Sequence, residues 1–156
     1  MRVAVISDIH GELDSLRRVL TAIDRAAIGQ IWCLGDIVGL GATAPSEVVD
    51  LDRDRCALAL AGNHDRWVTG QLSLSMLPLP RQRAQLQWQA RIGLVGHTHR
   101  PLIAEHNGTT IDDDENPDGH DLADDHRAVL NPRAVLGSRR WLELDLAARH
   151  AIWQTA

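Results

Sequence analysis

Two kinds of segment are absent from this sequence, and each absence excludes a class of partner. No run of basic residues occurs, and the 21 Asp and Glu outnumber the 16 Lys and Arg, which gives a formal net charge of -5. Because proteins that cover nucleic-acid phosphates carry clusters of basic residues, we do not expect extended nucleic-acid binding. No apolar run approaches the length that crosses a bilayer, so we expect no membrane partner either.

We also expect neither a secretory leader nor a disulfide framework. The chain enters an apolar run almost at its first residue, without the charged, apolar and small-residue regions of a signal peptide, which predicts a cytoplasmic protein. The two cysteines, Cys33 and Cys56, lie inside apolar runs, a position typical of reduced thiols in a core.

The chain that is present is long enough for one domain. Its 156 residues, 44% of them hydrophobic, can bury a sizeable core, and no internal repeat or low-complexity linker divides them. We therefore expect a single domain over residues 1-156.

The first half of the chain alternates strand-like and helical patterns. In chain order, the predicted elements are a strand that begins at Val3, an amphipathic helix after Gly11, a strand over Gln30–Leu34, a helix from Pro45 towards Arg53 and a strand over Arg55–Ala61. Strands joined by helices form right-handed crossovers and a parallel sheet, so the loops that follow these strands should gather at one edge.

The second half of the chain is richer in strands. Ile92–Gly96 is a clear one, Trp67–Leu77 could be helical, and the acidic stretch Asp112–Asp125 favours a solvated loop. The remaining predicted strands are Leu102–His106, Thr109–Ile111, Ala128–Leu130, Trp141–Leu146 and Ala151–Gln154. They predict a second, largely antiparallel sheet, and the expected fold class is α/β.

The stretch Val3–Gly11 carries the first candidate site. Asp8 and His10 end its apolar run two positions apart, and alternate residues of a strand face the same side, so the two side chains could share one metal ion. Alternatively, Asp8 caps the following helix and His10 is an ordinary loop histidine. Three later stretches favour the metal, because each follows an apolar segment and offers oxygen or nitrogen ligands. They are Gly35-Asp36, Gly62-Asn63-His64-Asp65 and Gly96-His97-Thr98-His99.

In these four motifs, and in their order, the chain resembles the calcineurin-like metallophosphoesterases. The similarity extends to Gly39-Leu40-Gly41, Pro45–Leu51 and Leu130-Asn131-Pro132, which are typical of the small bacterial and archaeal phosphodiesterase-like branch. The resemblance implies a two-sheet sandwich flanked by helices and a metal-dependent hydrolase of phosphoesters.

The resemblance also implies two divalent metal ions. The first ion would be held by Asp8, His10, Asp36 and His99, and the second by Asp36, Asn63 and His97. Mixed oxygen and imidazole ligation favours manganese, iron or zinc over calcium or magnesium. With Asp36 bridging them, the two ions would generate a bridging hydroxide that attacks the phosphorus of the substrate.

By the same resemblance, His64 would donate a proton to the leaving oxygen; the alternative is that it only bonds to Asp65 or to backbone. The run Asp36–Gly41 lacks the Asp-Arg pair that phosphoprotein phosphatases of the family carry there. This favours a small phosphodiester or nucleotide as the substrate, and a small phosphorylated molecule is the expected partner.

Two features of the family are missing. The family carries another metal-binding His between its Asn-His and Gly-His-x-His motifs, whereas none occurs between Asp65 and Gly96, and its Asn-Pro-Gly-Ser loop is Asn131–Ala134 here. We therefore expect the second metal site to be weak. Either the protein is a short variant that binds one ion firmly, or further residues belong near Gln89-Ala90 and Pro132-Arg133. A metal-binding pseudo-enzyme or interaction module and a phosphomonoesterase are the alternative functions.

Overall fold

The apolar run at the start of the chain forms strand β1 (Arg2–Ile6) in this computed structural model. Val3–Ile6 are fully buried, so the strand needs a hydrogen-bonded neighbour on each edge and cover on each face. It pairs in parallel with β2 (Ile31–Cys33) and in antiparallel fashion with β9 (Arg140–Asp145). The structure describes residues 1–39, 45–69, 71, 92–94, 96, 99, 101–105, 110–111, 116, 118–122, 128–132 and 134–156.

Among the described residues, six strands form the first sheet, in the order β3-β2-β1-β9-β10-β7. β3 (Leu58–Ala59) is parallel to β2. β10 (His150–Thr155) is antiparallel to β9, and β7 (His120–Asp121) is antiparallel to β10. The carboxyl ends of the three parallel strands therefore point to the same edge of the sheet, as the sequence predicts.

In the described part of the chain, four strands form a second sheet, in the order β4-β8-β5-β6. β4 (Ile92–Leu94) is parallel to β8 (Ala128–Asn131), whereas β5 (Leu102–Glu105) is antiparallel both to β8 and to β6 (Thr110–Ile111). The predicted α/β class, with a parallel first half and a largely antiparallel second half, is confirmed.

The membership of the first sheet differs from the prediction in two places. The strands predicted over Trp141–Leu146 and Ala151–Gln154 are β9 and β10, and they extend the first sheet beside β1 instead of joining the second. The physical reason is that a strand as buried as β1 cannot leave the N–H and C=O groups of one edge unpaired. β7 is a further difference, since a loop is predicted over Asp112–Asp125.

The first helix is the one that the apolar spacing predicts. α1 spans Leu13–Arg25 and buries Leu16, Val19, Leu20 and Ile23.

The other two helices have different bounds from those predicted. α2 (Pro45–Arg55) runs past Arg53, because the Cys56 N–H still donates to the Asp52 carbonyl at 2.8 Å. The strand predicted over Arg55–Ala61 is shortened to β3 by this extension. α3 (Asn63–Val68) begins before the helix predicted over Trp67–Leu77, of which residues 70 and 72–77 lie outside the described part of the chain.

Two apolar clusters cover the two faces of β1. Ala4 and Ile6 pack in a cluster with α1 residues, and Val3 and Val5 pack in a cluster that includes Ile103 of β5. This division follows from the alternation of side chains along a strand. The first sheet is therefore covered by helices on one face and by the second sheet on the other. None of the helices among the described residues is both long and apolar enough to cross a membrane.

Candidate metal centre

The loops that follow β1 and β2 lie side by side and carry three of the predicted site residues. The N–H of Asp8 donates to the Gly35 carbonyl at 3.1 Å, and the N–H of His10 donates to the Asp36 carbonyl at 2.9 Å. Asp8, His10 and Asp36 have φ angles of 55°, 51° and 53°. Non-glycine residues in this left-handed region cost about 1–3 kcal/mol each and cluster at active sites. The edge at which the parallel strands end is therefore shaped to orient these three side chains.

The predicted approach of Asp8 to His10 occurs, but for a different reason from the one that the sequence suggests. Strand alternation would place them on one face, yet β1 ends at Ile6, and both residues lie beyond it. Their convergence comes instead from the left-handed backbone of the loop.

The first group of possible ligands comprises Asp8, His10 and His99. The Asp8 Oδ1 atom lies 3.3 Å from Nε2 of His99 and 3.9 Å from Nε2 of His10, and the two imidazole Nε2 atoms are 3.2 Å apart. Asp8 is fully buried and its other oxygen, Oδ2, accepts a hydrogen bond from the Ser7 hydroxyl at 2.6 Å. One carboxylate oxygen and two imidazole nitrogens thus converge on a common point, as ligands of a transition-metal ion do.

The second group comprises His10, Asp36 and His64, whose ligand atoms all lie within 4.8 Å of one another. Asp36 is only 3% exposed, and its Oδ1 atom accepts a hydrogen bond from the backbone N–H of His64 at 2.9 Å. The two groups share His10, whereas the family resemblance implies that Asp36 is the shared ligand. The bridging role of Asp36 stays a prediction.

The side chain of Asn63, another predicted ligand, provides an independent test of the fit to a cation. Its amide nitrogen Nδ2 is buried and has no hydrogen-bond partner among the residues that the structure describes. Leaving such a donor unsatisfied costs about 1–3 kcal/mol. Rotating the amide by half a turn would place its oxygen there instead, and an amide oxygen is a suitable ligand for a divalent ion. The donor chemistry of this region therefore fits a metal. His97, the remaining predicted ligand, lies outside the described residues.

The electrostatic environment of His10 favours the neutral ring. Burial lowers its pKa, the neighbouring His64 lowers it further, and the carboxylates of Asp36 and Asp8 act in the opposite direction. A neutral imidazole has the lone pair that metal ligation requires. His10 is thus suited to hold a cation.

Two glycines allow the loops after β2 and β3 to touch. A Cβ atom on Gly35, whose φ is +99°, would collide with the Gly62 backbone, and one on Gly62 would collide with the Asp36 carboxylate. The Gly-Asp and Gly-Asn-His motifs need these glycines because no other residue permits so close a backbone approach. The contact brings Asp36 against the start of α3.

Asp65 has a structural role that was not predicted from the sequence. Its two carboxylate oxygens accept hydrogen bonds from the N–H groups of Val38 at 3.0 Å and Gly62 at 2.8 Å. No hydrogen bond joins Asp65 to the His64 ring among the described residues, so the alternative partner considered for His64 is not found. An acidic residue three positions after a helix N-cap is a capping-box signal, and this signal could have identified Asp65 from the sequence.

Comparison with known proteins agrees with the fold and identifies the family. Residues 1–154 match the family model described as calcineurin-like phosphoesterase. Over 72 residues the chain is 53% identical to the uncharacterized protein MJ0912 of Methanocaldococcus jannaschii; the match covers 46% of this chain and only 29% of the length of that protein.

Solved structures of similar fold span nearly the whole chain. A metallophosphoesterase from Sphaerobacter thermophilus has 25% identity and a TM-score of 0.74, with 100% of this chain and 88% of that chain covered. An archaeal phosphodiesterase has 15% identity and a TM-score of 0.64, with both chains fully covered. Yfce, a phosphoesterase from E. coli, has 19% identity and a TM-score of 0.57, with 94% and 89% covered. The last two likenesses concern the fold alone. With the match over residues 1–154 and ligand groups at the expected edge of the sheet, this chain belongs to the calcineurin-like phosphoesterase family, whose members are metal-dependent.

Proposed function

We propose that this chain is a metal-dependent phosphodiesterase that hydrolyses a small phosphodiester or nucleotide. The observation that carries the proposal is the convergence of Asp8, His10 and His99 next to Asp36 and His64, at the edge where the parallel strands end. Open α/β sheets bind their ligands at such edges. The absence of an Asp-Arg pair after Asp36 supports a small substrate over a phosphoprotein.

The two predicted metal ions differ in the number of ligands that the chain offers to each. Asp8, His10 and His99 offer three donors for one ion, with Asp36 beside them. Asp36, Asn63 and His97 would hold the second ion, which we expect to bind more weakly because the family's additional His has no counterpart between Asp65 and Gly96. Mixed oxygen and imidazole donors suit manganese, iron or zinc. Bound divalent ions would activate water and neutralise charge on the phosphoryl oxygens.

His64 is the residue that would protonate the leaving group. The water oxygen forms a bond to phosphorus, and the bond to the leaving oxygen breaks with its electron pair. The His64 imidazolium gives its proton to that oxygen, and the proton released by the water returns through solvent to the imidazole. General acid catalysis of this kind contributes about two to four powers of ten in rate.

The proposal is tested by comparing bis-p-nitrophenyl phosphate with p-nitrophenyl phosphate as substrates. We expect turnover of the diester to exceed that of the monoester, to require added Mn²⁺ and to disappear with a chelator. Asp8→Asn should remove this turnover because a buried ligand loses its charge. Asp50→Asn is the matched control, since Asp50 is exposed on α2 and bonds only to Arg53 among the described residues.

Each other outcome selects an alternative. Preferential turnover of the monoester would favour a phosphomonoesterase. Firm metal binding without turnover of either compound would overturn the proposed activity and favour the metal-binding module.

A further inference from the structure

His64 lies in a row of aromatic rings that runs from the ligand groups to α3. Its ring centroid is 4.7 Å from that of His10, with an interplanar angle of 78°, and 4.8 Å from that of Trp67, with an angle of 65°. His64 and Trp67 are three residues apart on α3, a spacing that puts two side chains on the same face of a helix. The His64 ring is therefore held edge-on between His10 and the Trp67 indole.

The backbone of His64 is fixed by other contacts. Its N–H donates to Asp36 Oδ1, and α3 is tied to the loop after β2 through the two hydrogen bonds of Asp65. With the backbone held, the remaining freedom of His64 is rotation of its side chain. That rotation decides whether its ring nitrogens face the reacting phosphate.

No hydrogen bond to either ring nitrogen of His64 is found among the residues that the structure describes. A histidine that transfers protons is usually oriented by a carboxylate or carbonyl bonded to its second nitrogen. Here the contacts that remain to orient the ring are aromatic. His10 is itself a candidate ligand, which leaves Trp67 as the group that can act on His64 without holding metal.

Trp67 has no other evident role in the described part of the fold. It belongs to neither apolar cluster, α3 has no buried residues, and the indole Nε1 atom is buried without a hydrogen-bond partner among the described residues. The indole is thus not explained by a hydrogen bond or by core packing. Its contact with His64 is the interaction that the structure shows.

We propose that Trp67 is a positioning residue that fixes the ring of His64 in the orientation needed to protonate the leaving oxygen. This inference rests on the proposed phosphodiesterase function and extends it, because it assigns the orientation of the acid to a residue outside the four motifs. Trp67 makes no contact with the reacting atoms in this account. Removing the indole should lower the rate only for substrates whose leaving group needs protonation.

The kinetic test compares Trp67→Leu with the parent on methyl phenyl phosphate and methyl p-nitrophenyl phosphate, which differ only in the leaving group. On the phenyl ester we expect kcat to fall by about tenfold to a hundredfold, which is part of the general acid contribution. On the nitrophenyl ester, whose leaving group needs no proton, we expect kcat to fall by less than about threefold. KM should not change on either ester. Trp67→Phe keeps an aromatic edge and should restore most of the rate. Val68→Ala, an exposed change on the same helix, is the control.

A double-mutant cycle separates positioning from a general loss of structure. In a His64→Ala background, Trp67→Leu should cause no further loss on the phenyl ester, because Trp67 acts through His64. Equal losses on the two esters, or a full additional loss in the His64→Ala background, would overturn the inference. Thermal unfolding and bound metal should match those of the parent.

A readout without turnover keeps this inference separate from the proposed function. In the zinc-supplemented protein, the ring protons of His64 should show an NMR ring-current shift from the indole, which Trp67→Leu removes and Val68→Ala leaves. Unshifted His64 signals in the parent would overturn the positioning role even if the enzyme is active. If the shift is present but no phosphoester is hydrolysed, the orientation of His64 by Trp67 stands while its catalytic purpose is rejected together with the proposed function.

Discussion

Asp36 is almost fully buried, and its side chain accepts a hydrogen bond that an asparagine side chain could also accept. Its Oδ1 atom takes the His64 N–H, and an Asn at this position can still supply an oxygen to that bond. Asp36→Asn should therefore fold but lose the negative charge that both predicted metal sites require. We expect metal affinity and hydrolysis to fall together. Removing a group that only orients a metal ligand costs about 10- to 100-fold, and the loss of a ligand should cost at least as much.

The measurement for Asp36→Asn is metal content beside activity, with Asp50→Asn as the control for the same change at an exposed position. Parent-like values of both quantities in Asp36→Asn would contradict its role as a shared ligand. A loss of activity with full metal content would limit Asp36 to holding His64.

At the scale of residues, the sequence indicated that the motif side chains gather at one edge of the sheet, but not how each is oriented or grouped. Asp8, His10, Asp36 and His64 lie close together because each follows one of the parallel strands, and these strands can be predicted from local patterns. Trp67 was not identified, because its relevance depends on which face of the short α3 helix turns towards His10. Such orientations depend on φ angles and tertiary contacts that no short motif contains.

At the scale of elements, Asp65 joins α3 to the loop after β2. Its carboxylate accepts the N–H groups of Val38 and Gly62, which belong to the two loops that enclose Asp36. Asp65→Ala leaves both donors without this acceptor, and hydrogen bonds to charged groups are worth about 1.5–3 kcal/mol each.

We expect Asp65→Ala to lower the free energy of unfolding by at least the value of one such bond, about 1.5–3 kcal/mol. It should also weaken metal binding, because Asp36 and α3 are no longer held together. Urea unfolding and metal titration measure the two effects. Parent-like values of both would show that this connection contributes neither to stability nor to the site.

The bounds of the elements were less predictable than their existence. The apolar run Arg55–Ala61 looks like a strand, but its first residues continue the hydrogen bonding of α2. The strand itself is limited to Leu58–Ala59, where the residues lie opposite Trp32 and Cys33 of β2. Local pattern cannot decide this competition, because the outcome depends on the Asp52 carbonyl reaching the Cys56 N–H.

At the scale of the whole molecule, the pairing of β1 with β9 joins the two ends of the chain. Arg2 lies opposite Asp145, and its side chain forms an ion pair with Glu143 at 2.7 Å. Both strands were predicted from their apolar patterns, yet their partnership was not, because strand pairing over so long a separation is decided by which edges remain to be covered. The family resemblance gave the two-sheet architecture, and the structure supplied the register.

α2 packs in one apolar cluster with β2, and it carries a buried carboxylate that makes global stability depend on pH. Asp52 is 3% exposed on α2, and the Cys56 thiol donates to its Oδ1 atom at 3.2 Å. Burial raises the pKa of Asp52, whereas the bonds from the Cys56 and Cys33 thiols act in the opposite direction and nearby Asp65 adds to the increase. The folded state therefore holds this proton more tightly than the unfolded chain does.

The sign of the effect follows from this difference. Below the ordinary Asp pKa of about 3.9, both states are protonated and the contribution of Asp52 to stability is fully present. As the pH rises, the unfolded chain ionises first, and stability is lost until the pH passes the raised pKa of the folded protein. Asp52→Asn removes this dependence, so its free energy of unfolding should exceed that of the parent by an amount that grows through this window, at about 1.4 kcal/mol per unit of raised pKa. Urea unfolding from pH 3.5 to 8 measures this difference, with Asp50→Asn as the exposed control on the same helix. If the free energies of unfolding of Asp52→Asn and the parent run parallel across this range, Asp52 is charged in the folded protein as readily as in the unfolded chain.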